Sequence, residues 1–237
     1  MAIVILAMLA VLVVVFVQVV VAQANVLARD TFTRSTSSGW GSADVGGTWA
    51  ITGTAANYAV SSGTGRMTVP AVGATRSAAL SSLSVTDADL LVRFTTDVAA
   101  SGSGLFLYTE ARFQDNANQY RGKVRIGSDG RVFLHASRMV GGTQAGIGSE
   151  VVVPGLTYSP GTQIWVRAQF SGTSPTTIRL RAWTGATEPT GWTYTATDST
   201  AALQDAGGIA LRAYLPSNAN PAPVTVIWDE LTVKQIP

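Results

Sequence analysis

Cleaving a glycosidic bond takes two carboxylates converging on it, about 5 Å apart for retention and further apart for inversion, so the acids are the first residues to weigh. The densest pair is Asp229 and Glu230 in "WDEL". Adjacent residues on a strand point to opposite faces, and that parity sets the two apart. Asp87 and Asp89 in "SVTDADL" have matching parity, but they open a strand, where an acid commonly caps a turn. His135 is the only histidine, and no G-x-S-x-G elbow accompanies it, so a hydrolase triad is not expected. No residue is assigned a catalytic role, and a glycoside hydrolase or lyase stands as the enzymatic alternative.

Binding chemistry is better represented. In "GLFLYTEARFQ" (104–114), alternation sends Tyr108, Glu110 and Arg112 to one side, and in "QIWVRAQF" (163–170) it sends Trp165 and Arg167 to one side. If these sets share a sheet face, flat rings stand beside planar hydrogen-bonding groups, the combination that sugars require. The candidate ligand face is therefore Tyr108, Glu110, Arg112, Trp165 and Arg167, joined by Arg125 and His135 from a neighbouring hairpin. A solvated face with cross-strand Glu–Arg pairs has the same pattern. An alternative face is Arg179, Arg181 and Trp183 in "TIRLRAW" (177–183), suited to an acidic glycan or to a charged sheet edge. No cofactor and no metal is assigned. Asp115, Asn116 and Asn118 in "QDNANQY" are oxygen ligands of the kind a structural calcium uses, and equally ordinary turn formers.

These residues have to be positioned by strands. From Val26 onward the chain alternates in short runs separated by Gly, Ser, Asn, Asp and Pro, with no helix of three turns. Strong strands are expected at 89–98, 104–114, 119–127, 131–139, 163–170, 177–183, 208–215 and 224–233. Weaker ones near Trp49, Tyr58, Met67 and Val152 bring the total to about a dozen. "SDGR" (128–131) carries the Asp-Gly of a tight turn, so 119–139 should be one hairpin. Charged residues make up only 13% of the chain, the net charge is +2 and no basic run exists, which argues against a nucleic-acid partner. The absence of cysteine excludes thiolate chemistry and disulfide staples.

Residues 1–24 form an apolar segment, and 26–237 form one β-sandwich domain. "MAIVILAMLAVLVVVFVQVVVA" has Gln18 as its one strongly polar side chain, and as a helix it would span roughly 33 Å. Ala22-Gln23-Ala24 fits a signal cleavage site, the length fits an uncleaved anchor, and the valines fit an arm packed in an oligomer. All three readings stay open, and membrane contact is expected only through residues 1–22.

The opening Asp30, Phe32, Trp40 and Trp49, the middle "ARFQDNANQYRGKV" and the closing "VTVIWDELTV" resemble the concanavalin A-like, laminin G-like jelly-roll superfamily. More narrowly, residues 27–234 resemble modules of actinobacterial surface proteins and of minor tail proteins of the phages that infect those bacteria. The resemblance implies an all-β, two-sheet antiparallel jelly roll whose first and last strands lie side by side, bringing the surroundings of Asp30 and Asp229 together. It implies a surface-displayed module for recognition or attachment, secreted, membrane-anchored or on a virion, with a glycan or cell-surface polysaccharide as partner. A purely structural subunit, binding itself or other members of an assembly, is the alternative. Trp40 and Trp49 are expected to lid the core, since a tryptophan near the edge of a sandwich normally buries its ring.

Overall fold

The computed structural model describes residues 25–236, so the apolar segment 1–24 lies outside the described residues. The strands are β1 (Val26–Asp30), β2 (Ala50–Ile51), β3 (Tyr58–Ser61), β4 (Thr64–Val69), β5 (Thr75–Val85), β6 (Ala88–Thr96), β7 (Leu105–Asp115), β8 (Asn118–Ile126), β9 (Arg131–Val140), β10 (Thr143–Thr157), β11 (Ile164–Ser171), β12 (Thr176–Trp183), β13 (Tyr194–Asp198), β14 (Gly207–Tyr214) and β15 (Val224–Gln235). Two single-turn 3-10 helices accompany them. One sheet runs β13-β12-β11-β6-β15-β4-β3, with β1 also paired to β15, and the other runs β10-β9-β8-β7-β14-β5-β2. Every pairing is antiparallel.

The alternation seen in the sequence becomes the sandwich. In β11, Ile164, Val166, Ala168 and Phe170 are buried while Trp165, Arg167 and Gln169 are half-buried on the outside. Leu105, Leu107, Val124, Leu134 and Leu211 meet them from the second sheet. Burial of such side chains, about 1.5–3 kcal/mol for each large one, is the main force holding the sheets together. All eight strong strands are present, and β8 and β9 form the expected hairpin, with Gly130 at φ 76° in its turn. Such a left-handed backbone favours glycine.

Among the described residues, fifteen strands replace the expected dozen. The largest omission is β5, whose "TRSAALSSLSV" has β-branched residues only at its two ends, Thr75 and Val85, and no aromatic one; pairing with both β14 and β2 holds it in place. The first strand, β1, opens at Val26. It ends at Asp30, because Phe32 turns into a left-handed conformation at φ 51°. Asp30 is fully buried and accepts hydrogen bonds from the Phe32 amide, the Arg34 guanidinium and the Trp49 indole, 2.7–2.9 Å long. Trp40 packs edge-on against Phe32, Trp49 and Tyr58, so both tryptophans lie in the core as expected. Gly65 is required there, since a Cβ would sit 2.5 Å from the Phe32 ring. β1 lies on β15 with Asp30 opposite Leu231, which is the adjacency of first and last strands that the resemblance implied.

Candidate ligand groove on the seven-stranded sheet

The outward face of the second sheet is organised in rows across the strands. Tyr214, Phe106, Arg125 and Phe133 form one row, and Arg212, Tyr108, Lys123 and His135 the next. The third row is Ala210, Glu110, Arg121, Ser137 and Gly146. A groove of about 480 Å³ is lined by Phe106, Tyr108, Arg121, Lys123, Arg212 and Tyr214, with Thr75, Asn116, Met139 and Gln144 at its edges. A second hollow of about 260 Å³ over Ser77, Ala79 and Phe113 shares Asn116 with it.

Glu110 anchors the floor. It is fully buried, and its Oε1 accepts from Arg121 Nε at 2.9 Å and Arg212 Nε at 2.5 Å. Arg121 also donates to Gln144 Oε1, and Arg212 to Asn116 Oδ1, both at 2.9 Å. Burial pushes the Arg121 pKa down, with the Glu110 charge opposing and the Arg212 charge reinforcing it. Tyr108 lies beneath Arg121, whose guanidinium is 5.4 Å from the ring centre. Burial raises the Tyr108 hydroxyl to about 12, so it stays a neutral donor at physiological pH. Further along, Lys123 and Arg125 both hold Glu150, at 3.0 and 2.5 Å. Burial works to raise the Glu150 pKa, but the Arg125 and Lys123 hydrogen bonds outweigh it and hold the carboxyl below its ordinary value. His135 meets the Gly148 carbonyl at 3.0 Å, and burial lowers its pKa.

Seven buried side-chain polar atoms lack a partner among the described residues. Five of them, on Ser77, Glu110, Gln119, His135 and Ser137, stand at outward positions of this one sheet. Buried polar groups are rarely left unpaired, so their concentration here marks a face with hydrogen-bonding capacity to spare.

Tyr108, Glu110, Arg125 and His135 therefore share a face as the alternation required, although Tyr108 is only 5% exposed. Its ring supports Arg121, and the more open Phe106–Tyr214 pair, 5.9 Å apart, forms the platform. Arg112 is corrected. A bulge follows Ala111, Arg112 adopts φ 48°, and parity inverts. Its fully buried guanidinium donates to Thr176 Oγ1 and to the Thr86, Leu203 and Gly172 carbonyls.

Trp165 and Arg167 are corrected as well. They belong to the other sheet, whose outward face points away from the groove. There Trp165 pairs with Trp183 and Arg167 with Arg181, so they join the alternative set of Arg179, Arg181 and Trp183. Four of its members are engaged in contacts within that face. Trp165 stacks on Trp183 at 6.2 Å, and Arg167 bonds Asp89 at 2.6 Å and Glu188 at 3.0 Å. Arg181 bonds Glu188 at 2.5 Å and the Pro189 carbonyl, and lies 4.2 Å over Trp192. The separation of Asp229 from Glu230 also fails. A bulge with Glu230 at φ 55° brings both acids to Arg93, at 2.5 and 3.9 Å.

Among the calcium candidates, Asp115 accepts from the Ala117 amide and Asn118, Asn116 from Arg212, and Asn118 from the Gly141 amide. The Asp115 carboxylate thus builds the β7–β8 turn, while the Asn116 and Asn118 oxygens tie that turn to β14 and to the β9–β10 turn. No group of three metal-ligating acids and histidines occurs among the described residues. The groove residues missed from sequence are Arg121, Lys123, Gln144, Arg212 and Tyr214, whereas alternation already sets Phe106 on the side of Tyr108. Alternation in "QYRGKVRIG" and "GIALRAYL" carried Arg121, Lys123, Arg212 and Tyr214; what it lacked was which strands lie side by side.

No protein-family model and no curated protein matches the chain. Solved structures do. The alginate lyase Aly36B aligns with a TM-score of 0.56 at 13% identity, over 88% of this chain and 96% of its own. A Bacillus licheniformis beta-glucanase aligns at 0.56 and 10%, over 88% and 97%. The CBM2 module of the Lactobacillus casei BL23 phage J-1 evolved Dit aligns at 0.54 and 8%, over 90% and 96%. At such identities the likeness is one of fold, and the fold is the concanavalin A-like jelly-roll sandwich. Carbohydrate-binding modules and polysaccharide-cleaving enzymes share it.

Proposed function

We propose that this protein is a non-catalytic recognition module that binds a polysaccharide in the groove of the seven-stranded sheet, displayed outside the cell, secreted or anchored, or on a virion. The observation that carries the reading is the groove itself, where the Phe106–Tyr214 rings lie beside the guanidiniums of Arg121 and Arg212 and the amides of Asn116 and Gln144. Aromatic faces suit the apolar faces of sugar rings, and planar polar groups suit their hydroxyls. Similarity in fold to a CBM2 module supports the reading. Within the groove, the non-catalytic reading is supported by how its acids are held. Glu110 is closed beneath two arginines, and Glu150 is committed to Lys123 and Arg125.

A glycan array probed with the full chain tests this, followed by titration of Phe106→Ala, Tyr214→Ala and Trp165→Ala. The first two should weaken binding about tenfold or more, since buried aromatic contact dominates such interfaces. Trp165→Ala, on the opposite sheet, should leave it unchanged. Turnover of a bound polysaccharide would overturn the non-catalytic reading. A structural subunit of a virion or surface assembly is the second reading, favoured by the phage protein to which the aligned CBM2 module belongs. Failure to bind any glycan, together with co-sedimentation with particles, would establish it instead.

A further inference from the structure

We propose that the ligand of this groove is a carboxylate-bearing polysaccharide, a polyuronate, with Arg121 and Arg212 together gripping one uronate carboxylate. The inference rests on the reading of this face as a glycan site and adds the charge of the ligand.

The first argument is electrical. One carboxylate oxygen on Glu110 serves both guanidiniums, and Glu150 serves both Lys123 and Arg125. Four cations thus stand against two carboxylates on these rows, an excess of two charges. The whole chain has a formal net charge of +2, so the excess here is as large as that of the entire protein and is not a diffuse background. Asp115 brings one negative charge to the smaller hollow, so the cationic excess belongs to the larger groove, where the carboxylate is placed.

The second argument is the donor inventory. Arg121 commits Nε to Glu110 and Nη1 to Gln144, while Arg212 commits Nε to Glu110 and Nη2 to Asn116. Arg121 Nη2 and Arg212 Nη1 have no partner among the described residues, and both side chains line the groove. One free Nη on each of two guanidiniums held in place gives two charged donors, and hydrogen bonds from a cation to a carboxylate are stronger than those to a neutral hydroxyl. Glu110 acts as a positioning residue, holding both forks by their Nε atoms.

The third argument is placement. Asn116 borders both hollows and is tied to Arg212, so a chain lying across the strands and occupying both must pass Arg212. Ser77 Oγ, buried and unpartnered, waits in the second hollow. A polymer with an acid on each residue can place one at this ridge while neighbouring rings occupy the hollows.

The test is titration of the full chain with polygalacturonate, with the same polymer after carboxyl reduction, and with dextran sulfate, at low and at physiological salt. Polygalacturonate should bind at least ~10-fold tighter than its reduced form at both salt levels, because a partly buried pair is screened less than a surface one. Arg212→Gln should abolish that preference, and Arg212→Lys should restore only part of it. The reduced polymer makes the comparison without altering the protein, so a variant that folds poorly leaves the test intact. Equal affinity for both polymers would overturn the proposal and leave a neutral-glycan site standing. Dextran sulfate binding as tightly as polygalacturonate, and unaffected by Arg212→Gln, would reduce the groove to an unspecific cationic surface. Absence of binding to all three would also overturn it, and the glycan array would then decide the broader reading separately.

Discussion

Replacing Glu110 with glutamine swaps the anion at the groove floor for a neutral group of nearly the same shape, and two buried cations lose their shared counter-charge. The Glu110 side chain is fully buried, and those of Arg121 and Arg212 are 7% and 9% exposed. Breaking such a buried pair from one side typically costs about 3–5 kcal/mol. Two features of the site reduce this. The glutamine carbonyl still accepts a hydrogen bond, and both guanidiniums keep their second partners and border a groove open to water. The expected loss is therefore about 2–3 kcal/mol, large against a domain stability of about 5–15 kcal/mol. Urea unfolding of the wild type, Glu110→Gln, Arg212→Met and the double variant gives both the loss and the coupling. Because the residues touch, the coupling should be about 1–3 kcal/mol. The double variant should be less unstable than the sum of the singles, since removing Arg212 relieves part of the uncompensated charge. A loss below about 0.5 kcal/mol, or strictly additive singles, would refute the claim that Glu110 organises the two arginines.

Two further outcomes follow from the same contacts. Arg112→Met removes the donor to three backbone carbonyls and the Thr176 hydroxyl, so it should cost about 3 kcal/mol or more in urea unfolding, whereas an outward-facing arginine would cost little. The pH dependence has a defined sign. His135 and Glu150 both have lowered pKa values in the folded protein, so in their windows the unfolded chain binds more protons and stability falls as the pH falls. The His135 contribution is fully present above its ordinary value of 6.5 and is lost as pH falls through the folded value. Glu150 follows below its ordinary 4.5. Unfolding measured from pH 7 to 3 should show both declines; His135→Gln should flatten the upper one and Glu150→Gln part of the lower. A profile unchanged by either substitution would contradict the assigned environments.

Period-two alternation and turn residues carried the sandwich, because burial on one face of each strand dictates the pattern of apolar side chains. They yielded all eight strong strands and the Asp129-Gly130 hairpin, and they placed Tyr108, Glu110, Arg125 and His135 outward. Alternation is a rule for one strand at a time. It failed at Arg112 and at Glu230, where a single left-handed residue makes a bulge and reverses the faces that follow. It also says nothing of which strands are neighbours. That is why Trp165 and Arg167 went to the wrong sheet, and why Arg212, distant in sequence from Glu110, was missed as its partner. The Ala- and Ser-rich β5 was invisible for a related reason, since its strand conformation comes from β14 and β2 on either side and not from its own side chains. The sequence thus determined the sandwich and the residue types available to a ligand face. Tertiary pairing alone decided which of them meet, because a groove floored by Glu110 and walled by Arg121 and Arg212 exists only where β7, β8 and β14 lie edge to edge.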